Sequence, residues 1–339
     1  QRGTSQTGVN SSGFKNAPDR WRFGASGSNV GTYTVSQAGD NPDGFTGGGK
    51  SFKVDCTTAH GTLASNELYY IEQNFEGYDC QQILAGNSNA KQLTLSFWVK
   101  AYQTGTWIVA FDNANSSRDC SASYTINASG TWEKKTITFP ADTTGSFACS
   151  NAKNLSLQFG LLSGSNWNTG TLNTAWRAEA DSGRFTGQTN LASSTDNYWQ
   201  ITGVQLELGD TATDFEHRSY GDELAKCQRY YYKHAEAADG PIGEGSFYQD
   251  NNLYMYIGFP TTMRTTPSLK VADSENYYMV YSGGGADGFN TWNTMWSKNT
   301  RGTIVNAYSA NGISGRTQGD AGFTITNHAS SYIAFDAEL

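Results

Sequence analysis

Residues 198–232, YWQITGVQLELGDTATDFEHRSYGDELAKCQRYYY, decide the fold because they hold two strand patterns with a polar connector between them. From Trp199 to Glu207 apolar and polar residues alternate, which predicts a half-buried antiparallel strand. A Gly-Asp pair ends this strand, and strand propensity returns at Tyr230 after a short helical turn. The stretch therefore predicts the last strand of one β-domain, a connector, and the first strand of a second β-domain.

The composition is also that of a β-protein. The chain has 339 residues, of which 38 are glycine, 13% are aromatic and 16% are charged, as in proteins with short strands and tight turns. A net charge of −8 argues against a nucleic-acid-binding surface. We find neither a signal peptide nor an apolar run near the ~20 residues that span a membrane. The first residue is Gln rather than Met, so we expect a missing or cleaved N-terminal piece.

Runs with strand character recur along the chain between clusters of Gly, Asn, Asp and Ser. The first part predicts nine strands, at residues 33–37, 51–55, 68–73, 92–101, 106–111, 122–126, 132–139, 154–162 and 198–208. The second part predicts six, at residues 229–234, 253–259, 268–272, 277–282, 303–308 and 323–337. This arithmetic predicts an all-β fold, with a jelly-roll or β-sandwich domain followed by a smaller C-terminal β-sandwich domain.

The strands divide the chain into four segments. We predict an extended N-terminal segment over residues 1–18, a jelly roll over 19–208, a hinge over 209–229 and a C-terminal β-sandwich over 230–339. Within the jelly roll, residues 163–197 lack a clear strand pattern. A loop of that length is usually functional or braced against a partner.

The hinge resembles one found in many tail and appendage proteins of tailed bacteriophages. There a jelly roll like a carbohydrate-binding module ends in TGVQLE-G and is followed by FE-R, EL and CQRYY. The matching segments here are residues 202–207, 215–218, 223–224 and 227–231. Further similarities lie at Asp19-Arg20-Trp21, at Phe259-Pro260, at Met263-Arg264, at Pro267 and in the closing residues 332–339.

The resemblance implies a virion protein on the surface of an extracellular particle, such as a tail fibre or spike that adheres to host-surface glycans. Many copies would make weak binding strong. It further implies attachment to other virion proteins through the missing N-terminus, and a homotrimer in which Tyr230, Tyr231 and Tyr232 seal a three-fold interface. Two alternatives are a structural or decorating protein of head, collar or tail that binds no receptor, and a polysaccharide depolymerase.

Structural roles account best for the notable hinge residues. We expect salt links around Glu216, Arg218 and Glu223, and a packed, unreactive Cys227, since burial raises the pKa of a thiol. The residues in this structural group are Phe215, Glu216, Arg218, Glu223, Cys227, Arg229 and Tyr230.

The cysteines leave two interpretations open. There are five and no CxxC pair, which argues against a zinc site. One interpretation is a Cys56–Cys80 and a Cys120–Cys149 disulfide with Cys227 free, which would suit a particle outside the cell. The other is that all five are reduced and buried, because Cys is among the most buried residue types.

Catalytic motifs are mostly absent from the sequence. The four histidines form no HExxH or spaced ligand cluster, and there is no GxSxG motif and no Walker loop. The glycine run at 283–285 precedes no predicted helix, which indicates a loop rather than a phosphate cradle. Glu179 and Asp181 are better explained as solvated loop charges than as a glycosidase pair. We therefore predict a protein that is not an enzyme and has no catalytic residues.

Aromatic residues point to sugar binding instead. The chain has 9 Trp, 19 Tyr and 17 Phe, and a sugar ring stacks on an aromatic face while Asn, Asp, Gln and Arg bind its hydroxyls. We predict three candidate groups: Phe289, Trp292 and Trp296 in a loop after the glycine run; Trp167 and Trp176 in the 163–197 loop; and Trp98 on the polar face of its strand, where it would line a jelly-roll groove. The alternative for Trp292 and Trp296 is a core or a subunit interface.

We predict no cofactor. Oxygen-rich turns at residues 40–43 and 112–113 would suit a structural Ca²⁺ ion. They supply no complete ligand pattern, however, and ordinary Asx turns explain them better.

Overall fold

The computed structural model describes residues 2–28, 30–45, 49–272, 277–283, 285–289, 291–308, 313 and 315–339, with the side chains of 291 and 293–297 outside the description. Contacts divide the chain into an N-terminal unit, residues 2–217 with Leu339, and a C-terminal unit, residues 218–338. The division falls inside the segment predicted to be a hinge. No helix in these described residues is long and apolar enough to cross a membrane.

The N-terminal unit is built almost entirely from strands. They are β1 (Ser5–Val9), β2 (Gly13–Phe14), β3 (Trp21–Ser26), β4 (Thr32–Ala38), β5 (Ser51–Thr58), β6 (Leu68–Glu76), β7 (Leu93–Ala101), β8 (Gly105–Asn113), β9 (Arg118–Ile126), β10 (Glu133–Phe139), β11 (Lys153–Ser163), β12 (Arg177–Ala178) and β13 (Tyr198–Leu208). Two one-turn helices accompany them, α1 (Gly77–Cys80) and α2 (Ser165–Asn168).

These strands form two antiparallel sheets. In the described residues, sheet A has the order β1-β4-β5-β13-β7-β10 and sheet B the order β12-β9-β8-β11-β6-β3-β2. Neighbours that are distant in sequence are typical of a jelly roll. The core lies between the sheets, since alternate residues such as Leu95, Phe97 and Val99 of β7 and Phe159 of β11 are fully buried.

Strand β13 departs from simple alternation at one point. Its register against β7 shifts between Thr202 and Gln205, which is a β-bulge. Gly203 sits in this bulge with φ +58°, and a Cβ there would lie 2.6 Å from the Phe45 ring. Only glycine meets both conditions without strain.

The N-terminal residues belong to the sandwich, so the prediction of a separate extended segment over residues 1–18 is wrong. Strand β1 pairs with β4, and β2 pairs with β3. Val9 is 2% exposed in the core. A mostly polar, short edge strand has too few apolar positions to show an alternating pattern.

The prediction of a loop over residues 163–197 also needs correction. This segment contains α2, β12 and two 3-10 turns, Asp181–Gly183 and Leu191–Ser193. Phe185 packs in a small buried cluster with Leu68, Ile108 and Ala110. The segment is therefore braced on the outer face of its own sheet B.

The C-terminal unit begins with helix α3 and continues in strands. Helix α3 spans Tyr220–Gln228, and the strands are β14 (Tyr231–Glu236), β15 (Pro241–Gln249), β16 (Asn252–Gly258), β17 (Ser268–Val271), β18 (Tyr278–Ser282), β19 (Gly285–Phe289), β20 (Thr291–Lys298), β21 (Gly302–Tyr308), β22 (Ala321–Thr326) and β23 (Tyr332–Asp336).

The strands of this unit again form two antiparallel sheets. Within the described ranges, sheet C has the order β14-β23-β17 and sheet D the order β19-β18-β22-β15-β16-β21-β20. Leu253, Met255, Tyr278, Val305 and Phe335 are nearly or fully buried in its core. The prediction of an all-β protein is confirmed.

Two local predictions for the C-terminal unit are wrong, and one strand was not predicted. The stretch 323–337 contains two strands, β22 and β23, rather than one. The glycine-rich strand β15 was not predicted, because Gly and Pro have low strand propensity. Residues 285–289 and 291–298 form strands rather than a loop.

The five cysteines are free thiols, so the predicted Cys56–Cys80 and Cys120–Cys149 disulfides are absent. Cys56, Cys80 and Cys120 are buried, whereas Cys149 is exposed. Cys120 is fully buried in the core on β9, whereas Cys149 lies at the surface. Burial raises the pKa of Cys80 and of Cys120 to about 12.

This arrangement predicts selective thiol modification. Iodoacetamide at neutral pH is expected to label Cys149 first, since its thiol is exposed, whereas Cys80 and Cys120 react only after unfolding because the thiolate is the nucleophile. Intact and peptide mass spectrometry of the labelled, unreduced chain measures this order. A mass two hydrogens lower per bridge, or protection of Cys149, would contradict it.

Candidate functional site

A row of long polar side chains crosses the middle of the outer face of sheet A. Gln200 of β13 pairs with Lys100 of β7 on one side and with Lys53 of β5 on the other. Gln200 is 3% exposed, and its Oε1 has no hydrogen-bond partner in the described part of the chain. A buried acceptor without a donor costs about 1–3 kcal/mol, so this oxygen would gain a bond from a ligand hydroxyl if the side chains that cover it moved aside.

Two tryptophans flank the Lys100 end of the row. Trp98 is half-buried on the same face, two residues before Lys100 on β7. Trp132 donates from Nε1 to Asp40 Oδ1 at 3.2 Å, and Lys100 Nζ lies 2.5 Å from Asp40 Oδ2 and 5.8 Å from the Trp132 ring centroid. The hydrogen bond from Lys100 lowers the pKa of Asp40. This carboxylate therefore stays ionised as an acceptor until the pH falls below its ordinary value of 3.8.

One tyrosine adjoins the Lys53 end, and a second links it to the β7 side. Lys53 Nζ lies 4.8 Å from the Tyr198 ring centroid and 2.9 Å from Asp55 Oδ1. Tyr102, which is 48% exposed, has its ring centroid 6.4 Å from that of Tyr198. The row thus has a Lys–Asp pair with an adjoining ring at each end and Gln200 between them, while Tyr102 directly follows β7, the strand of Lys100.

A group of rings forms a rim beside Trp98. The Phe45 ring is 5.5 Å from Phe215 and 5.7 Å from His217, and it lies over Gly203 in the bulge of β13. The rim therefore uses Phe215, which comes from the segment after β13. The predicted structural role of Phe215 takes the form of ring packing.

The outer face of sheet B is polar too, but its groups are paired with one another. Glu72, 1% exposed, pairs with Arg22 and accepts from Gln158 Nε2 at 3.3 Å. Arg184 donates to Gln158 Oε1 at 2.7 Å and lies 3.6 Å from Asp112. Because the segment 163–197 supplies Arg184 and packs on this face, sheet A carries the more open polar face.

The structure places only one of the predicted tryptophan groups on the site. Trp98 lies beside the row on the polar face of β7, and its role in lining a groove stays a prediction. Trp176 stacks on Phe111 and donates to Pro140 O at 2.8 Å. Trp167 packs half-buried against the Phe185 cluster. Trp167 and Trp176 therefore brace the covering segment rather than forming a binding platform.

The predicted platform in the C-terminal unit is wrong for two of its three members. Phe289 is 2% and Trp292 is 8% exposed, and both belong to the core of that unit. They lie on strands β19 and β20, whose inner faces turn them inward. The side chain of Trp296 falls outside the described residues. The alternative of a core role is confirmed for Trp292.

The hinge residues make mostly local contacts. Arg218 pairs with Glu223 at 3.3 Å, with both side chains about half exposed, and such pairs contribute little to stability. The backbone N–H of Glu216 donates to Gln205 Oε1 at 2.8 Å, and Arg229 Nη1 donates to Thr262 O at 3.4 Å. Cys227 is partly exposed rather than fully packed.

The aromatic hinge strand is not free to form a three-fold interface as predicted. Tyr230 and Tyr231 are each 6% exposed within the single chain. Tyr232 packs against Phe259 and Phe335, with ring centroids 6.3 Å away in each case. A homotrimer would need another surface.

Three of the carboxylates considered for metal binding or catalysis, Asp40, Asp112 and Glu179, have protein partners. Asp40 is held by Lys100 and Trp132, and Asp112 lies near Arg184. Glu179 accepts from Arg184 Nη1 at 3.0 Å. Among the residues that the structure describes, no cluster of three or more His, Cys, Asp or Glu could hold a metal ion.

Sequence reasoning missed Lys53, Lys100, Tyr198 and Gln200 as site residues. Each lies on the outward side of its strand, and Lys100 faces the same side of β7 as Trp98 because the two are two residues apart. This shared side could be predicted from the sequence. The order of the strands in the sheet could not, because β5, β13 and β7 are far apart in sequence.

Comparison with known proteins identifies no family. No protein-family model matches the sequence, and no curated protein matches it. Among solved structures, the chain is similar to the enzymatically active domain of tailspike protein 4 of bacteriophage CBA120, with 12% identity, 56% of this chain and 19% of that chain covered, and a TM-score of 0.31.

Two further similar structures are carbohydrate-binding modules. A CBM4 structure is 14% identical over 57% of this chain and 96% of its own, with a TM-score of 0.29. The family 11 carbohydrate-binding module of a Clostridium thermocellum cellulosomal cellulase is 15% identical over 62% and 98%, with a TM-score of 0.27. These scores are too low to support an inference about function, which has to come from the residues of this chain.

Proposed function

We propose that this chain binds carbohydrate through the outer face of sheet A, and that it does so as an adhesin on the surface of a tailed phage or phage-like particle. One observation carries the proposal. The row Lys100–Gln200–Lys53 has a Lys–Asp pair and adjoining ring surface at each end, and the amide oxygen at its centre is buried without a partner in the described residues.

The chemistry of this row suits a polyhydroxylated ligand. Each sugar hydroxyl both donates and accepts, so a neighbouring ammonium and carboxylate can bind a pair of hydroxyls together. The rings of Trp98 and Tyr198 offer apolar faces for the C–H side of a pyranose. Three strands span about 10 Å from Lys100 to Lys53, a length that suits a short saccharide lying across them.

The virion setting rests on the hinge resemblance and agrees with the size of the site. An open row on a sheet face binds weakly by itself, and repetition of the chain on a particle would raise the avidity by about 10²–10⁴. We include in the proposal a role in adhesion rather than catalysis, since both ends of the row pair their carboxylates with lysines.

Replacement of Gln200 by leucine is expected to separate binding from stability. The variant loses the acceptor that a ligand hydroxyl would reach after the covering side chains move, so saccharide affinity falls about tenfold. It also removes a buried unpaired carbonyl, so the melting temperature stays equal or rises. Trp98→Ala is expected to lower affinity by about thirtyfold, since stacking rings are typical hot spots.

The measurement is binding of the full chain to an array of bacterial-surface polysaccharides, followed by titration calorimetry with the best oligosaccharide. Tyr78→Ala is the matched control, because Tyr78 is an exposed aromatic residue of the same unit, outside sheet A. Unchanged affinity in both Gln200→Leu and Trp98→Ala would overturn the site. Absence of any saccharide binding by the folded chain would instead favour a purely structural virion role.

A further inference from the structure

The outer face of sheet D exposes aromatic side chains that the fold itself leaves uncovered. Phe323 is 50%, Tyr248 is 53% and Tyr256 is 68% exposed. The inner residues of the same strands, such as Phe247 and Met255, are buried in the core. Aromatic patches on a surface mark sites of interaction.

The patch has an ordered centre. Tyr281 of β18 and Phe323 of β22 are cross-strand partners, and their rings lie parallel, with centroids 5.0 Å apart and planes 9° from each other. On its other side, Phe323 pairs with Glu244 of β15. A stacked aromatic pair and a carboxylate thus stand in one row across three strands.

A trough of about 890 Å³ runs along this row. Besides Tyr281, Phe323 and Glu244, its lining consists of small residues: Gly245, Ser282, Gly283, Gly285, Ala286, Ala321 and Gly322. The volume lies within the range of about 300–1,000 Å³ that is usual for ligand sites. Small neighbours keep the sides of the rings open.

One of these glycines has no requirement that the described residues explain. A Cβ at Gly283 would meet no atom of the described residues within 4 Å, and Gly283 is not among the residues with positive φ. Neither packing against the described residues nor backbone conformation therefore requires glycine at this turn. The missing side chain at Gly283 leaves space beside Tyr281.

We propose that this trough is a second carbohydrate site, one that takes short neutral saccharides. The stacked rings supply the apolar face, and Glu244 accepts hydroxyl hydrogens. Among the described lining residues Glu244 is the one that carries a charge, so an acidic sugar would be repelled. The site lies on the C-terminal unit, and it stands or falls independently of the row on sheet A.

A concave lining of glycine and alanine beside one stacked pair favours a saccharide over a protein partner. A stable protein interface needs about 800 Å² per partner with a well-packed centre. Here the exposed rings flank a cavity that a flat sheet of another chain would leave unfilled. Association of two copies through this face is therefore the competing outcome that the experiment has to detect.

The experiment uses the full chain carrying Gln200→Leu, so that the sheet A site is weakened. In that background, the array of neutral and acidic oligosaccharides is compared for Phe323→Ala and for Gly283→Gln, which fills the trough. Both changes are expected to lower binding of neutral saccharides at least tenfold without a change in melting temperature. Tyr220→Ala is the control, since Tyr220 is 81% exposed on α3 of the same unit.

Three outcomes would overturn the proposal. Binding that is unchanged in both trough variants shows that no saccharide uses this face. A preference for acidic sugars contradicts the role of Glu244. If Phe323→Ala converts an oligomer to monomers in analytical ultracentrifugation while saccharide binding is intact, the face is a contact between copies of the chain. If Phe323→Ala abolishes binding in the unaltered chain and Trp98→Ala does not, the trough stands and the sheet A proposal fails.

Discussion

Replacement of Trp199 by alanine is expected to destabilise the N-terminal unit by about 5 kcal/mol, near the upper end of the range for large-to-small core changes. Trp199 is fully buried on the inner face of β13, with its ring 5.7 Å from Phe159. Its Nε1 donates to the Tyr124 hydroxyl at 3.1 Å. Because Tyr124 is only 5% exposed, the substitution leaves a cavity and a hydroxyl that has lost this bond.

A loss of this size is comparable with the whole stability of a small domain, about 5–15 kcal/mol. Differential scanning calorimetry of the full chain would show it as a lowered transition for the N-terminal unit. Tyr78→Ala removes an exposed ring from the same unit and is expected to change stability by less than about 0.5 kcal/mol. An effect of Trp199→Ala no larger than that of this control would contradict the packing described.

The strands of the N-terminal unit were predictable because each carries its own pattern. In β7, alternate residues Leu95, Phe97 and Val99 face the core, and this period is visible in sequence without knowledge of the partner strand. The failures occur where the pattern is weak or shared. Strand β1 is polar and has one buried residue, Val9, and β15 is rich in glycine.

The candidate site was predictable only in part. Trp98 could be assigned to a polar strand face from alternation alone. Gln200 could not be assigned, because it matters only as the neighbour of Lys100 and Lys53 on adjacent strands. The order of strands in a sheet cannot be predicted from a local sequence pattern. The trough on sheet D was missed for the same reason, since Tyr281 and Phe323 are 42 residues apart in sequence and meet only as cross-strand partners.

The error over Trp292 has a different cause. Asn and Thr residues around it suggested a loop, yet residues 291–298 form strand β20 and Trp292 is buried on it. Trp292 stands edge-on to Tyr278 at 5.2 Å and packs against Phe289 at 5.1 Å. Composition therefore identified an aromatic cluster correctly and misjudged which way it faces.

Replacement of Trp292 by alanine is expected to lower the stability of the C-terminal unit by about 3–5 kcal/mol while leaving saccharide binding at sheet A unchanged. The binding residues Trp98, Gln200 and Lys100 belong to the other unit. Calorimetry with and without the oligosaccharide measures both effects on one sample. If Trp292→Ala instead lowers the affinity of sheet A for the saccharide and leaves the melting profile unaltered, Trp292 is an exposed binding residue and not a core residue.

Phenylalanine substitutions sharpen the comparison between the two buried tryptophans. Trp292 Nε1 is buried without a hydrogen-bond partner in the described residues, so Trp292→Phe removes an unsatisfied donor and offsets part of the packing loss. Trp199→Phe instead breaks the bond to Tyr124 and adds about 1–3 kcal/mol for the group left unpaired. We therefore expect Trp292→Phe to lower the free energy of unfolding less than Trp199→Phe. A solvent-exposed Trp292, whose Nε1 would bind water, would not gain from the removal of this donor.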